Sequence, residues 1–263
     1  MLAIRSGSEV FSVGQEIIYT NGMTTPNKDA EECRVIIESI TGRPVELHHN
    51  DTTPGEKVGE IGIKVLFGVV CGVSAACVLL SKKKSTAENV LGIAFGVAAV
   101  AFLVWALKDY YDIQQKKNAS ANSLVQKVTH HLTTKPLTHV TLVFHSQGAD
   151  IGERALWQLG DHKNRINVVV IGGMIHIPDS LARRVVNLQD GSDLISNFGH
   201  ALFNVNHGEK RLITHDDGGC STAFCHGAND YLSHPDVRKS LSKVVSDVQY
   251  LFDRSTQMVF LMN

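Results

Sequence analysis

The sequence predicts an α/β fold, a mostly parallel sheet flanked by helices, with a transmembrane helical hairpin inserted into it. Three observations carry that expectation. Short apolar runs alternate with stretches of helical periodicity, the pattern of strands joined by crossover helices. One run, residues 166–171, is apolar at almost every position, as a strand covered on both faces must be. Two long uncharged stretches, residues 65–80 and 89–107, interrupt the alternation.

In chain order, residues 16–21 read as the first strand and residues 26–41 as the first helix. Thr25 suits that helix's cap and Pro26 its first turn, while Asp29, Glu31 and Glu32 complement the positive end of its dipole. Cys33, Ile36, Ile37 and Ile40 fall on one face, and Gly42 and Pro44 stop the helix. Residues 45–49 form a second strand. Residues 112–132 read as a polar helical link into the strand 139–145, which a helix to about Leu159 follows. Strands at 166–171 and 184–188 come next. The last helix follows Pro235, with Val237, Leu241, Val244, Val248 and Leu251 at helical spacing. A parallel sheet binds ligands at the carboxyl ends of its strands. Ser146, Asn21 and the residues after Leu188 fall at such ends.

The uncharged run 65–80 reaches a bilayer's thickness, about 20 residues, once Ile61, Gly62 and Ile63 are added and Lys64 snorkels. The second run, 89–107, contains Trp105 near its end and is followed by Lys108, Tyr110 and Tyr111, residues suited to a membrane–water boundary. Gly68 and Gly72 in one run and Gly92 and Gly96 in the other repeat the four-residue spacing that lets helices approach closely in lipid. The expectation is a hairpin whose ends lie on one side of a membrane, dividing the chain into 1–56, 57–110 and 111–263. Lysines stand both at the tip (Lys82, Lys83, Lys84) and on the flanks (Lys57, Lys64, Lys108, Lys116, Lys117), so charge asymmetry gives no orientation.

Composition excludes several classes. With 43% apolar and 19% charged residues over 263 positions, the chain can bury a core and is not globally disordered. A net charge of −1 argues against a nucleic-acid groove, so no nucleic-acid partner is expected. The amino-terminal residues lack the apolar core of a cleavable signal peptide, and membrane targeting is expected from inside the chain. Five cysteines do not make a disulfide framework, and only Cys220 and Cys225 could pair. Cys220, Cys225, His226 and His215 lack the paired spacing of a zinc site, and no Walker loop or dinucleotide fingerprint occurs. No metal and no cofactor is expected.

The run from His139 to Asp150 is the most informative. An apolar strand stops at a sharp turn carrying Ser146, and a helix starts near Gln147. That turn lifts a hydroxyl clear of a sheet and sets it beside the free N–H groups of a helix's first turn. A serine nucleophile also needs a base, an acid that orients the base, and oxyanion donors. The N–H of Gln147 and that of Met23, after the turn at Asn21 and Gly22, are the expected donors. Downstream, Asp190 and Asp193 are candidate acids. His226 competes with His200, His207, His215 and His234 as the base. His145 reads as a packing or orienting residue, since neighbours on a strand face opposite ways. Phe144 stands two positions before Ser146, where a turn that packs strand tightly against helix wants a small residue.

These segments resemble a minimal lipase-type α/β-hydrolase: Tyr19-Thr-Asn-Gly-Met, Val143-Phe-His-Ser-Gln-Gly, Val186-Asn-Leu-Gln-Asp-Gly-Ser-Asp and the stretch from His226 to Leu232. The resemblance implies Ser146 as nucleophile, Asp193 as acid, His226 as base and Tyr231 as a packing neighbour of that base. The chain is also similar to an uncharacterised family of chlamydial membrane proteins with an Asn-Gly-x-x-Thr opening, an HSQG elbow and a hydrophobic insert. That kinship implies a host-derived inclusion membrane as one location. The expected function is a membrane-anchored serine hydrolase. It would bind a lipid bilayer through residues 61–107 and act on an ester or thioester, a small acyl or lipid substrate. Phe144 supports an alternative: an inactive hydrolase fold serving as a binding or host-interaction module.

Overall fold

The computed structural model describes residues 14–22, 25–51, 55–81, 85–135, 137–193, 196, 210–213 and 226–247. Six strands are described: β1 (Gln15–Thr20), β2 (Val45–His48), β3 (His139–His145), β4 (Ile166–Ile171), β5 (Arg184–Asp190) and β6 (Lys210–Ile213). They form one sheet in the order β2-β1-β3-β4-β5-β6, with every pairing parallel. The chain moves outward from β1 to β2 and returns to β3 on the other side of β1. The carboxyl ends of β1 and β3 therefore flank a topological switch point, where such sheets leave a crevice. This is the α/β fold, a parallel sheet flanked by helices, that the alternating pattern implies.

Both faces of the sheet are covered. On one face, Ile18, Val140, Leu142, Phe144, Val168 and Val170 pack against α4 (Gly148–Gln158) and against Ala121, Leu124, Val128 and Leu132 of α3 (Thr86–Thr134). On the other, Ile17, Tyr19, Val143, Val169, Ile171 and Leu188 meet α1 (Asn27–Thr41), α5 (Ala228–Ser233) and a helix α6 over residues 235–247. All six residues of β4 are buried, which accounts for its unbroken apolar run.

Several boundaries differ from expectation for local reasons. Pro26, not Thr25, occupies the cap position of α1 with φ −56°, and its carbonyl accepts the Ala30 N–H. Proline's fixed φ suits that position without any side-chain bond. Gly42 ends α1 in the left-handed conformation at φ 64° and donates to the Glu38 carbonyl. The stretch 89–107 and the polar link 112–132 are one continuous helix, α3, because no glycine or proline separates them. β6 lacks a readable strand pattern, since two of its four residues are basic. Val248 and Leu251, expected on the last helix, lie outside the described residues.

The chain divides into two compact units, Met1–Asn50 with Ala121–Asn263, and Asp51–Ser120. The second unit holds α2 (Gly55–Leu80) and the first part of α3. Both helices are long and apolar enough to cross a membrane. Their small residues face each other: a Cβ on Gly72 would lie 3.8 Å from Ala99 Cβ, and one on Gly96 4.0 Å from Ala75 Cβ. Leu66, Val73, Val97, Val100 and Leu107 point outward and are exposed. Lys64 does not simply snorkel. Its ammonium pairs with Asp109 on the other helix, lies 3.7 Å from Glu60, and sits 4.1 Å from the Trp105 ring centre.

Candidate active site

Ser146 directly follows β3 with φ 52°, the only non-glycine residue of positive φ among the described residues. A serine held there is strained, and the surroundings enforce it. Its carbonyl accepts the N–H groups of Ala149 (3.1 Å) and Met174 (3.3 Å). Helix α4 begins two residues later, pressed onto the end of β1. A Cβ on Gly148 would lie 2.6 Å from the Thr20 carbonyl oxygen, so only glycine fits. Gly22 is equally constrained: a Cβ there would stand 2.8 Å from Ser146 Cβ and 2.9 Å from His145 Nδ1.

Phe144 finds its room in α4. Its ring is fully buried, and a Cβ on Gly152 would lie 2.4 to 2.7 Å from three of its ring atoms. The small residue that the turn lacks at position 144 is supplied at position 152, one helical turn into α4. The strand still meets the helix closely, and Ser146 keeps its turn conformation.

Three predicted side chains converge. The Ser146 hydroxyl lies 2.6 Å from His226 Nε2, and His226 Nδ1 lies 2.8 Å from Asp193 Oδ2. The carboxylate can only accept, so Nδ1 carries the proton and Nε2 is left as an acceptor for the serine hydroxyl. Asp193 has no exposed side-chain surface, whereas His226 keeps 14%, so the ring reaches solvent and the carboxylate does not. Burial alone would push the Asp193 carboxyl up. Hydrogen bonds from His226, the Ser196 N–H (2.9 Å) and the Tyr231 hydroxyl (2.7 Å) outweigh it and hold the carboxyl below the usual aspartate range.

Tyr231 does more than pack. Its hydroxyl accepts the Asp190 N–H at 3.1 Å and donates to Asp193, joining the end of β5 to that carboxylate. Burial, then the bond to Asp193, push its phenol well above the ordinary range, so it stays a donor. Room for the ring comes from Gly172, at φ 55°, where a Cβ would lie 2.6 Å from it. Asp190, the other candidate acid, instead accepts the N–H and hydroxyl of Ser192, an Asx-type turn that ends the strand. His234 accepts the Asp236 N–H through Nδ1, at the start of α6. His200, His207, His215, Cys220, Cys225 and Met23 lie outside the described residues.

The loop after β1 is fixed by two asparagines. Asn21 Oδ1 accepts the Asn50 N–H at 2.7 Å, and Asn21 Nδ2 donates to the carbonyls of Gly22 (2.9 Å) and Asn50 (3.2 Å). Asn50 Nδ2 donates to the Gln147 side-chain oxygen at 3.3 Å. The ends of β1 and β2 and the start of α4 are thereby tied together. Sequence reading missed Asn50 and the Tyr231 hydroxyl, since each acts through partners distant in the chain, and Gly152, since it meets Phe144 only once strand and helix are packed. Among the described residues no cluster of metal-ligating side chains occurs.

A parallel sheet with a strained serine between its central strand and the following helix defines an α/β-hydrolase-like fold. No family model and no curated protein sequence matches the chain. Among solved structures, the chain is similar to a cutinase-like protein from Cryptococcus sp., at 16% identity and a TM-score of 0.44. The match covers 89% of this chain and 94% of that one.

Proposed function

We propose that the protein is a membrane-anchored serine hydrolase acting on an ester or thioester. The observation that carries the reading is the unbroken relay from Ser146 through His226 to Asp193, at 2.6 and 2.8 Å. In this mechanism Ser146 Oγ attacks the acyl carbon while its proton passes to His226 Nε2. The N–H of Gln147, at the start of α4, stabilises the oxyanion, together with that of Met23. The tetrahedral intermediate then expels the alcohol or thiol, which takes the proton from His226. Water, activated by His226 in turn, releases the acid and restores Ser146. Asp193 keeps His226 in the required tautomer and offsets the charge that forms on it. Phe144, the residue that favoured an inactive fold, is accommodated by Gly152 and leaves this geometry intact.

Anchoring rests on the two apolar helices of the second unit, with their outward-facing aliphatic side chains. Along the chain, Asn50 belongs to the site's hydrogen-bond network and α2 begins at Gly55. An acyl lipid is the substrate class that such an anchor fits best. A fluorophosphonate probe tests the chemistry. The folded wild-type protein is expected to be labelled and Ser146→Ala is not; an unlabelled wild type would overturn the enzymatic reading.

A further inference from the structure

The geometry points to His145 as a positioning residue that holds the backbone of the base, His226, against the strand that carries the nucleophile. This inference rests on the hydrolase reading above. His145 is the last residue of β3, in register with Ile171 of β4, so its backbone belongs to the centre of the sheet. Its side chain points to the face opposite Phe144, and its Nε2 lies 2.8 Å from the His226 carbonyl oxygen. A carbonyl can only accept, so Nε2 bears the proton and donates it. The two imidazole rings also lie against each other, with centroids 5.2 Å apart, and the Tyr231 ring stands 6.4 Å away. Ser146 and the clamp on His226 thus come from adjacent residues of one rigid strand. The spacing between nucleophile and base is set by a single peptide unit and one hydrogen bond.

Two further features argue that the imidazole is there for that bond rather than for its bulk. Its Nδ1 is buried and has no hydrogen-bond partner among the described residues. An unpaired buried acceptor costs stability, which an apolar side chain of the same size would avoid. Burial, then the neighbouring His226, lower the His145 pKa to about 3. The ring therefore stays neutral beside the base and does not oppose the charge His226 acquires when it takes the serine proton.

The test compares substitutions in the full-length protein in detergent micelles. His145→Leu fills the volume without a donor, and His145→Gln restores an amide N–H at the reach of Nε2. With a p-nitrophenyl ester, Leu is expected to lower kcat by roughly 10- to 100-fold, the scale of a misplacement near 1 Å, while KM changes less than about twofold. Gln is expected to recover most of that loss. Equal losses in Leu and Gln would show that ring packing alone matters and would overturn the proposal. Should Leu not fold, His145→Asn, whose amide stops short of the carbonyl, takes its place. The downfield proton resonance of the His226–Asp193 bond provides a readout independent of turnover. It should broaden by exchange with water in Leu or Asn and persist in Gln. A resonance unchanged in all three overturns the positioning role, even if the wild type proves unreactive to the fluorophosphonate, which would sink the hydrolase reading instead.

Discussion

Gly152→Ala is the most direct trial of how the elbow tolerates Phe144. The added methyl would lie 2.4, 2.5 and 2.7 Å from three atoms of the Phe144 ring. Carbon atoms rest at about 3.5–4.0 Å, so at least about 1 Å of movement is required. The ring has nowhere to go, because it is fully buried among Leu142, Ile151, Ala155 and Val170. Overpacking of this kind costs up to about 3 kcal/mol. Replacing glycine by alanine within a helix returns about 1 kcal/mol of propensity. The net loss reaches up to about 2 kcal/mol, a Tm decrease of up to roughly 4–8 °C for a domain of this size. Thermal unfolding followed by circular dichroism in micelles measures it. Phe144→Leu in the same chain should recover part of the loss, because the smaller side chain vacates the space the methyl needs. A Gly152→Ala protein as stable as the wild type, or more stable, would refute the large-for-small exchange between strand and helix.

Other outcomes follow from the site. Tyr231→Phe leaves the Asp190 N–H without its acceptor and Asp193 with two donors instead of three; a loss of about 1–3 kcal/mol and a lower kcat at unchanged KM are expected, and full stability with full kcat would count against the bridge. His145 binds a proton near pH 3 when folded but near 6.5 when unfolded, so between those values the unfolded chain holds more protons and stability rises with pH. Its contribution approaches about 1.4 kcal/mol per pH unit within that window, and urea titrations at several pH values should show a shallower slope in His145→Gln. In membranes, an alkaline carbonate wash should leave the protein in the pellet; its release into the supernatant would contradict the spanning hairpin.

Local patterns made much of the fold legible. The strands 139–145 and 166–171 are marked by β-branched and apolar runs, and the elbow by a serine between such a run and a helix. Ser146 could be read directly, because the strand, the turn and the helix that mark it are contiguous in the chain. Asp193 and His226 were named through resemblance and chain order, since nothing local distinguishes Asp193 from Asp190 three residues earlier. What separates them is three-dimensional: Asp190 closes its own turn through Ser192, while Asp193 reaches His226 and Tyr231. The Phe144–Gly152 exchange was hidden for the same reason. A phenylalanine in a strand and a glycine in a helix look like two separate irregularities until the ring is seen lying over the missing Cβ. The join of the second apolar stretch to the polar link was hidden differently: a change in polarity suggests a boundary, but backbone hydrogen bonding continues through it.

The ion pair between Lys64 and Asp109 bears on the register of the two apolar helices. Each residue is the partner of the other across two different helices. Glu60, one turn earlier on the first helix, also lies 3.7 Å from the ammonium, so Lys64 is shared between an acid on its own helix and one on the other. Trp105, one turn before Asp109 on the second helix, covers the same ammonium. A charged contact at one level of two otherwise apolar helices fixes how far one can slide along the other, which packing of small residues alone leaves freer.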